Sequence, residues 1–377
     1  MDLQTLTQQI HAIAEQFAAD RTERQRRRTL DAADFSKLRE AGYLSAAIPR
    51  EHGGLWVDVP RSVRSLSSLL RTLATGDSSV ALVSAMHPAV LAYWFSTPAI
   101  DIDNEAWQEQ LSEIATTVTA GNWWGTITSE PGSGGDVTQT RATAKRGSGP
   151  HAYQLSGQKH FGSGSGIMDV MVTTAVPEGE SEPDWFFLNV RDVPWDGSAG
   201  ATLVAEWDGH GMAATQSHAF AYEGYPATRI AWPGNLPAIA KKTGPYIGCL
   251  FSSVIAGIVD IAVRTAKEKV NPETLGAFGE VELARAEMEA WLVDQAWEGM
   301  VRCVEQGDEP GKQVLQGKTA IAELAESVLG RLCKVIGGGT YSRRSPFGFW
   351  YQDVRALGFL RPPWPLAFEQ LGKLMHS

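Results

Sequence analysis

The most constraining feature of the chain is a glycine-rich stretch at 121–136, followed by a shorter related stretch at 156–163. Within the longer stretch, residues 123–128 alternate aromatic or β-branched side chains with small hydroxylic ones, which predicts a strand buried on one face. The strand cannot continue, because Pro131 removes a ladder donor and the surrounding glycines favour a sharp turn. A turn of this kind exposes backbone N–H groups, which suit an anion or a planar polar ring.

These residues alone leave two alternatives open, a ligand-binding turn and an ordinary hairpin with a glycine-rich loop. Alternating segments elsewhere in the middle of the chain predict further strands of one antiparallel sheet. They are Ala142–Lys145, Ala152–Leu155, Asp169–Ala175, Trp185–Val190 and His218–Tyr222.

Helical spacing of apolar residues marks the two ends of the chain. In the first part, the apolar residues between Leu3 and Phe17 form one stripe, and Gly42 suits a left-handed helix end. After Pro245 the pattern stays helical and predicts a four-helix bundle. We therefore expect an α+β fold with an N-terminal α-helical domain (1–118), a middle antiparallel β domain (119–235) and a C-terminal four-helix bundle (236–377).

Composition limits the partners and the cellular location that we expect for the protein. The net charge of −10 disfavours nucleic acid and anionic membranes as partners. Three scattered cysteines are too few for a disulfide framework or a metal site, and no signal peptide is apparent, so we expect a cytoplasmic protein without a bound metal. The apolar run Tyr246–Val263 is long enough to span a membrane, but Asp260 within it favours a buried helix.

Several motifs resemble those of the acyl-CoA dehydrogenase superfamily of flavoproteins, and they occur in the family's order along nearly the whole chain. The stretches 129–136 and 156–163 resemble its T-E-P-x-x-G-S-D loop and N-G-x-K-x-W-I-T strand. The other similar segments are Leu38–Tyr43, Ile48–Gly54, Asp208–Gln216, Ile336–Tyr341 and Gln352–Arg355. Ordered matches of this extent are more specific than any single glycine motif.

The resemblance implies FAD, with FMN as the alternative cofactor. It places flavin binding on Thr126, Thr128, Ser129, Phe161, Ser163, Gly337 and Gly338. Phe161 would cover one face of the ring, and the hydroxyl of Ser163 would reach the reactive ring nitrogen.

The family's catalytic base is missing from both of its usual positions. Acyl-CoA dehydrogenation needs a carboxylate within reach of the substrate proton, but the two family positions correspond here to Arg361 and Leu250. The family serine of G-S-D is Gly135, and its R-x-x-F-G motif is reduced within Leu275–Gly279. Glu369 is another carboxylate, but its pattern predicts an exposed face. These departures disfavour a conventional dehydrogenase of fatty acyl-CoA.

Three functional hypotheses follow. The first is a flavin-dependent oxidoreductase of the superfamily that acts without a glutamate at either usual position. The second is a group D type monooxygenase that uses oxygen and reduced flavin from a separate flavin reductase; that branch tends to place histidines near the flavin, which makes His87 and His160 catalytic candidates against the alternative of packing histidines. The third is a catalytically inactive binding protein. The expected ligand is an apolar or acyl small molecule, and the expected assembly is a homotetramer or homodimer.

Overall fold

A computed structural model describes residues 2–96, 104–307, 309–360 and 362–374. Helices precede and follow a group of strands. The helices are α1 (Leu3–Ala19), α2 (Arg21–Arg24), α3 (Ala32–Glu40), α4 (Val59–Gly76), α5 (Ser78–Phe95), α6 (Glu105–Thr119), α7 (Leu236–Lys269), α8 (Gly276–Gln306), α9 (Gly311–Ile336), α10 (Pro346–Gly358) and α11 (Trp364–Lys373). The strands are β1 (Trp124–Thr126), β2 (Thr143–Arg146), β3 (Ala152–Gly162), β4 (Val170–Pro177), β5 (Asp184–Asn189), β6 (Ala201–Ala205) and β7 (His218–Arg229).

Aspartates begin the helices of the first part of the chain. The side chains of Asp2, Asp58 and Asp77 accept hydrogen bonds from backbone N–H groups in the first turns of α1, α4 and α5, which satisfies donors that have no partner within a helix. Gly42 follows α3 with φ of 82°, the left-handed conformation predicted for it. Nearly every residue of α5 is buried, so this helix lies at the centre of the molecule.

The strands form one mixed sheet, which corrects the prediction of an antiparallel one. Five pairings among the described strands are antiparallel, but β4 runs parallel to both β1 and β2. The order β4–β2–β3–β7–β5 closes on itself through the β4–β5 pairing, giving a barrel-like ring. Parallel pairing is feasible because the chain makes a long excursion through β2 and β3 before it returns beside β1.

The helices after the sheet pack on each other and on the first part of the chain. α9 contacts α7, α8 and α10, while α4 and α5 pack against α7. The buried apolar side chains form one continuous core across all these elements. α7 begins at Leu236, earlier than Pro245 suggested, and carries that proline within it.

Two helices are long and apolar enough to span a bilayer, α5 and α7. Inside the folded chain, 89% and 72% of their most apolar windows are buried. Burial of this extent is what a helix that is apolar on all sides achieves in a protein core.

Candidate active site

The two glycine-rich stretches meet at one edge of the sheet. The backbone N–H of His160 donates to the carbonyl oxygen of Ser129 at 2.8 Å, which forms an isolated antiparallel bridge between the stretches. Thr126 ends β1 and its hydroxyl donates to Val172 O at 3.2 Å, while Thr128 is buried two residues further on. The hydroxyl-bearing segment and the end of β3 therefore form the walls of one site.

A buried ion pair holds these walls together. Lys159 is completely buried, and its Nζ donates to Glu130 Oε1 at 2.5 Å, to Thr140 Oγ1 at 3.0 Å and to Thr174 O at 2.6 Å. Burial raises the pKa of Glu130, but the hydrogen bonds from Lys159 and its neighbours outweigh burial and hold the pKa below its usual value. Glu130 is therefore a fixed carboxylate that anchors the turn.

Phe161 presents an aromatic ring at the end of β3. Its φ is +58°, a conformation that is uncommon for a residue with a bulky side chain, and 57% of the residue is exposed. The Trp207 ring lies edge-on to it, with the centroids 6.0 Å apart. The surrounding structure has to hold this backbone conformation in place, and such conformations occur most often at functional sites.

The glycine-rich turn that follows Ser129 provides open backbone. Gly134 has φ of +60°, and a Cβ added there would meet no atom within 4 Å. Gly135, with φ of +85°, is covered instead, because its Cβ would lie 3.0 Å from the ring atoms of Pro363. An exposed aromatic face, several hydroxyls and an open glycine backbone fit a flat ring with a polar edge, so the residues present fit a flavin.

Ser163 belongs to a line of buried hydroxyls. Its Oγ lies 2.8 Å from Ser217 Oγ, which lies 2.7 Å from Thr215 Oγ1, and Thr215 donates to Met212 O at 2.9 Å. Gly164 N donates to Thr215 O at 2.8 Å. A loop about fifty residues further along the chain thus fixes the hydroxyl of Ser163.

The loop is anchored to the C-terminal helices by a buried carboxylate. Asp353 in α10 accepts Met212 N at 2.7 Å through Oδ1 and Ser78 Oγ at 2.6 Å through Oδ2. Burial raises the pKa of Asp353 to about 6.

Sequence reasoning did not single out Thr215, Ser217 or Asp353. The only signals were the resemblances of Asp208–Gln216 and Gln352–Arg355 to family segments, and these do not show what each side chain contacts.

The two candidate histidines have different surroundings. His87 is completely buried: its Nε2 lies 3.2 Å from Leu44 O, and its Nδ1 accepts the backbone N–H of Trp124 at 3.1 Å. Burial lowers its pKa from 6.5 to about 3. With both nitrogens bonded to backbone, His87 positions β1 against α5 and has no nitrogen left for a ligand. His160 is half-buried beside Phe161, with its Nε2 3.0 Å from Gln158 Nε2.

Gly337 and Gly338 lie in the turn after α9. This turn packs against α9 and α10, and a Cβ at either glycine would meet no atom within 4 Å. Their predicted contact with the cofactor therefore stays a prediction.

Neither of the two positions at which the family carries its catalytic base offers a carboxylate among the described residues. Leu250 is buried in α7, and Arg361 lies outside the described residues. Glu369 is exposed on α11 and pairs with Lys373 at 2.6 Å, as its pattern predicted. The described part of the site therefore offers hydroxyls and an imidazole rather than a carboxylate base.

Similarity to known proteins agrees with this chemistry. No family model matches the chain. It is 26% identical over 378 residues to a dibenzothiophene monooxygenase of Rhodococcus erythropolis, covering 91% of this chain and 86% of that protein. It is 27% identical over 263 residues to the probable FMNH2-dependent monooxygenase SfnC of Pseudomonas putida, covering 68% of this chain and 60% of that protein.

Solved structures share the fold over the whole chain. The FMN-bound structure of TdsC from Paenibacillus sp. A11-2 matches with a TM-score of 0.81 at 19% identity, covering 99% of this chain and 98% of that one. Butyryl-CoA dehydrogenase of Megasphaera elsdenii matches with a TM-score of 0.84 at 19% identity, over the full length of both chains. The resemblance inferred from the motifs, to flavin-dependent oxidoreductases that include a monooxygenase branch, is confirmed.

Proposed function

We propose that this member of the acyl-CoA dehydrogenase superfamily is a monooxygenase that uses reduced FMN and oxygen to oxygenate an apolar aromatic molecule at a heteroatom. The observation that carries the proposal is the composition of the site, where an exposed ring and hydroxyls surround the expected flavin position but neither usual base position carries a carboxylate. A dehydrogenase needs such a base to remove a substrate proton, whereas an oxygenase does not. The monooxygenases among its relatives support the same choice.

The flavin would lie along the meeting edge of the two stretches. Phe161 would cover one face of the ring, the N–H groups near Gly134 would contact its polar edge, and Thr128, Ser129 and Ser163 would contribute hydroxyls. A bound reduced flavin supplies the electrons that activate oxygen. The turn after Phe161 packs directly on α5, since a Cβ at Gly164 would lie 2.8 Å from Val83 Cγ1, and this packing excludes water from that side of the site.

His160 is the residue that we propose for proton handling. It stands on the exposed side of β3 beside Phe161, and an imidazole can both accept and donate a proton. Gln158, 3.0 Å away, would orient its ring. His87 would act only through its contact with β1.

A separate flavin reductase would deliver the reduced flavin, and the assembly would be a homo-oligomer. Phe278, Val281, Met288 and Trp291 are exposed on α8, an apolar face suited to a second copy. The turn that holds Gly337 and Gly338 packs against α9 and α10, and a second copy would bring it to the cofactor. The divisions at 118 and 235 remain our proposal for the three domains.

The test is a comparison of two reactions in the purified protein. In the first, a flavin reductase supplies reduced FMN in air with dibenzothiophene as the probe, and we expect an oxygenated product that requires both reduced FMN and oxygen. In the second, oxidised flavin on the protein meets butyryl-CoA without oxygen, and we expect its visible absorbance to persist. Bleaching in the second reaction, with no product in the first, would overturn the proposal in favour of a dehydrogenase.

A further inference from the structure

The hydroxyls of Ser163, Ser217 and Thr215 form a chain that ends on a backbone carbonyl. All three residues are at most 8% exposed, so the protein rather than bulk water decides which oxygen donates in each contact. The successive oxygen–oxygen distances are 2.8, 2.7 and 2.9 Å, the last to Met212 O.

The carbonyl at the end of the chain fixes the direction of every bond. A carbonyl oxygen only accepts, so the hydrogen in the last contact belongs to Thr215. Thr215 then has only lone pairs to offer Ser217, whose hydrogen is used in that contact. Ser217 in turn accepts from Ser163, so the single hydrogen of Ser163 is used inside the protein and its oxygen has only lone pairs to offer a ligand.

The terminal carbonyl is itself held in place. Met212 N donates to the buried Asp353, and Trp207 Nε1 donates to Met212 O at 2.8 Å. Met212 has φ of +51°, so its conformation depends on these contacts. The direction of the hydroxyl chain is therefore built into the packing of the loop against α10.

We propose that Ser163 acts only as a hydrogen-bond acceptor toward the flavin, so the site prefers reduced flavin, whose N5 carries a hydrogen, over oxidised flavin, whose N5 is an acceptor. This inference rests on the proposed function, which places the flavin beside Ser163. With this preference, the site would bind flavin after a separate protein has reduced it.

The size of the preference follows from one hydrogen bond. A neutral hydrogen bond that is made in one state and lost in the other changes affinity by about tenfold. Reduced FMN should therefore bind the protein about tenfold more tightly than oxidised FMN.

Two substitutions break the chain at different points. Ser217→Ala removes the acceptor of the Ser163 hydrogen, and Thr215→Val removes the acceptor of the Ser217 hydrogen, so each lets the Ser163 hydroxyl turn outward and donate. The matched control is Ser165→Ala, which lies in the same turn. Its buried hydroxyl donates to Gly162 O at 2.6 Å and takes no part in the chain.

The experiment is an anaerobic titration of oxidised and reduced FMN into the four proteins, each checked for folding by circular dichroism. We expect the dissociation constant of oxidised FMN to be about ten times that of reduced FMN for the parent protein and Ser165→Ala. For Ser217→Ala and Thr215→Val we expect the two constants to be nearly equal. The midpoint potential of bound FMN should fall by about 30 mV in the two chain variants, the equivalent of that tenfold change.

Two results would overturn the inference while the proposed function stands: equal binding of both flavin states by the parent protein, or an unchanged ratio in Ser217→Ala and Thr215→Val. Absence of flavin binding in either state by the parent protein would overturn both proposals. These outcomes are distinguishable in the same titration.

Discussion

The Nζ of Lys159 lies 2.5 Å from Oε1 of Glu130, in an ion pair that joins the two glycine-rich stretches. Lys159 is completely buried and the side chain of Glu130 is 6% exposed, so water does not replace either partner when the other is removed. Ser129 and Phe161 flank the pair in sequence. Their positions therefore depend on a contact that the flavin itself would not touch.

Replacement of Lys159 by Met tests this dependence. The variant leaves Glu130 buried without its charge partner, which should lower the free energy of unfolding by about 3–5 kcal/mol and weaken flavin binding. Chemical denaturation and flavin titration measure the two effects. The control is Lys145→Met on the neighbouring strand β2, where the lysine is exposed and neither quantity should change. Equal behaviour of the two variants would contradict the assigned role.

Phe161→Ala tests the aromatic wall of the site. Because the ring is mostly exposed, its removal should change the free energy of unfolding by less than about 1 kcal/mol. Loss of the ring face should weaken flavin binding about tenfold, equivalent to about 1.4 kcal/mol of stacking. Fluorescence quenching of FMN gives the dissociation constant. Phe368→Ala, an exposed phenylalanine on α11, is the matched control, and an effect as large there would argue against the location of the flavin.

His87 should make the fold sensitive to acid. Its pKa falls from 6.5 to about 3 on folding, so below pH 6.5 the unfolded chain binds a proton that the folded chain does not. The contribution of His87 to the free energy of unfolding is therefore retained above pH 6.5. It is lost as the pH falls toward 3, at roughly 1.4 kcal/mol for each pH unit.

His87→Gln isolates this contribution, since an amide can donate and accept without titrating. Asp353 acts in the opposite direction between about pH 4 and 6, because its pKa is raised to about 6, but it is present in both proteins and cancels in the difference. Urea unfolding from pH 7 to pH 4 should show the parent protein losing stability relative to the variant. Parallel curves would show that His87 is not held neutral by the fold.

Gly135→Ser tests the departure from the family's G-S-D motif. The backbone there has φ of +85°, and a side chain would press on Pro363. We expect a loss of about 1 kcal/mol in the free energy of unfolding and no gain of acyl-CoA oxidation. Thermal melting and an anaerobic butyryl-CoA assay measure these two quantities. Restored dehydrogenation would mean that this position, rather than the missing carboxylate, limits the chemistry.

Local pattern and motif order predicted much of this molecule. The apolar spacing between Leu3 and Phe17 located α1, and Gly42 marked the end of α3, because those signals lie inside or directly beside each element. The convergence of the two stretches followed from the resemblance. β6 was missed, since five residues paired only with β7 leave little pattern to recognise, and the parallel pairing of β4 depends on residues about fifty positions away.

The direction of the Ser163 hydroxyl could not be predicted from the sequence for a similar reason. It depends on Thr215 and Ser217 from a distant loop, on the Met212 carbonyl, and on Asp353 from a helix nearly two hundred residues later. The residues next to each of them in the sequence do not indicate these contacts. Their significance appears only when the loop is packed between β3 and α10.

The most direct test of the central claim is the origin of the oxygen in the product. The reductase-coupled reaction with dibenzothiophene is run under ¹⁸O₂ in ordinary water and, separately, under ordinary oxygen in H₂¹⁸O. Mass spectrometry then measures the ¹⁸O content of the product. The account predicts one ¹⁸O atom per oxygenation from the gas and none from water. Label from water alone, or product formed without oxygen, would contradict it.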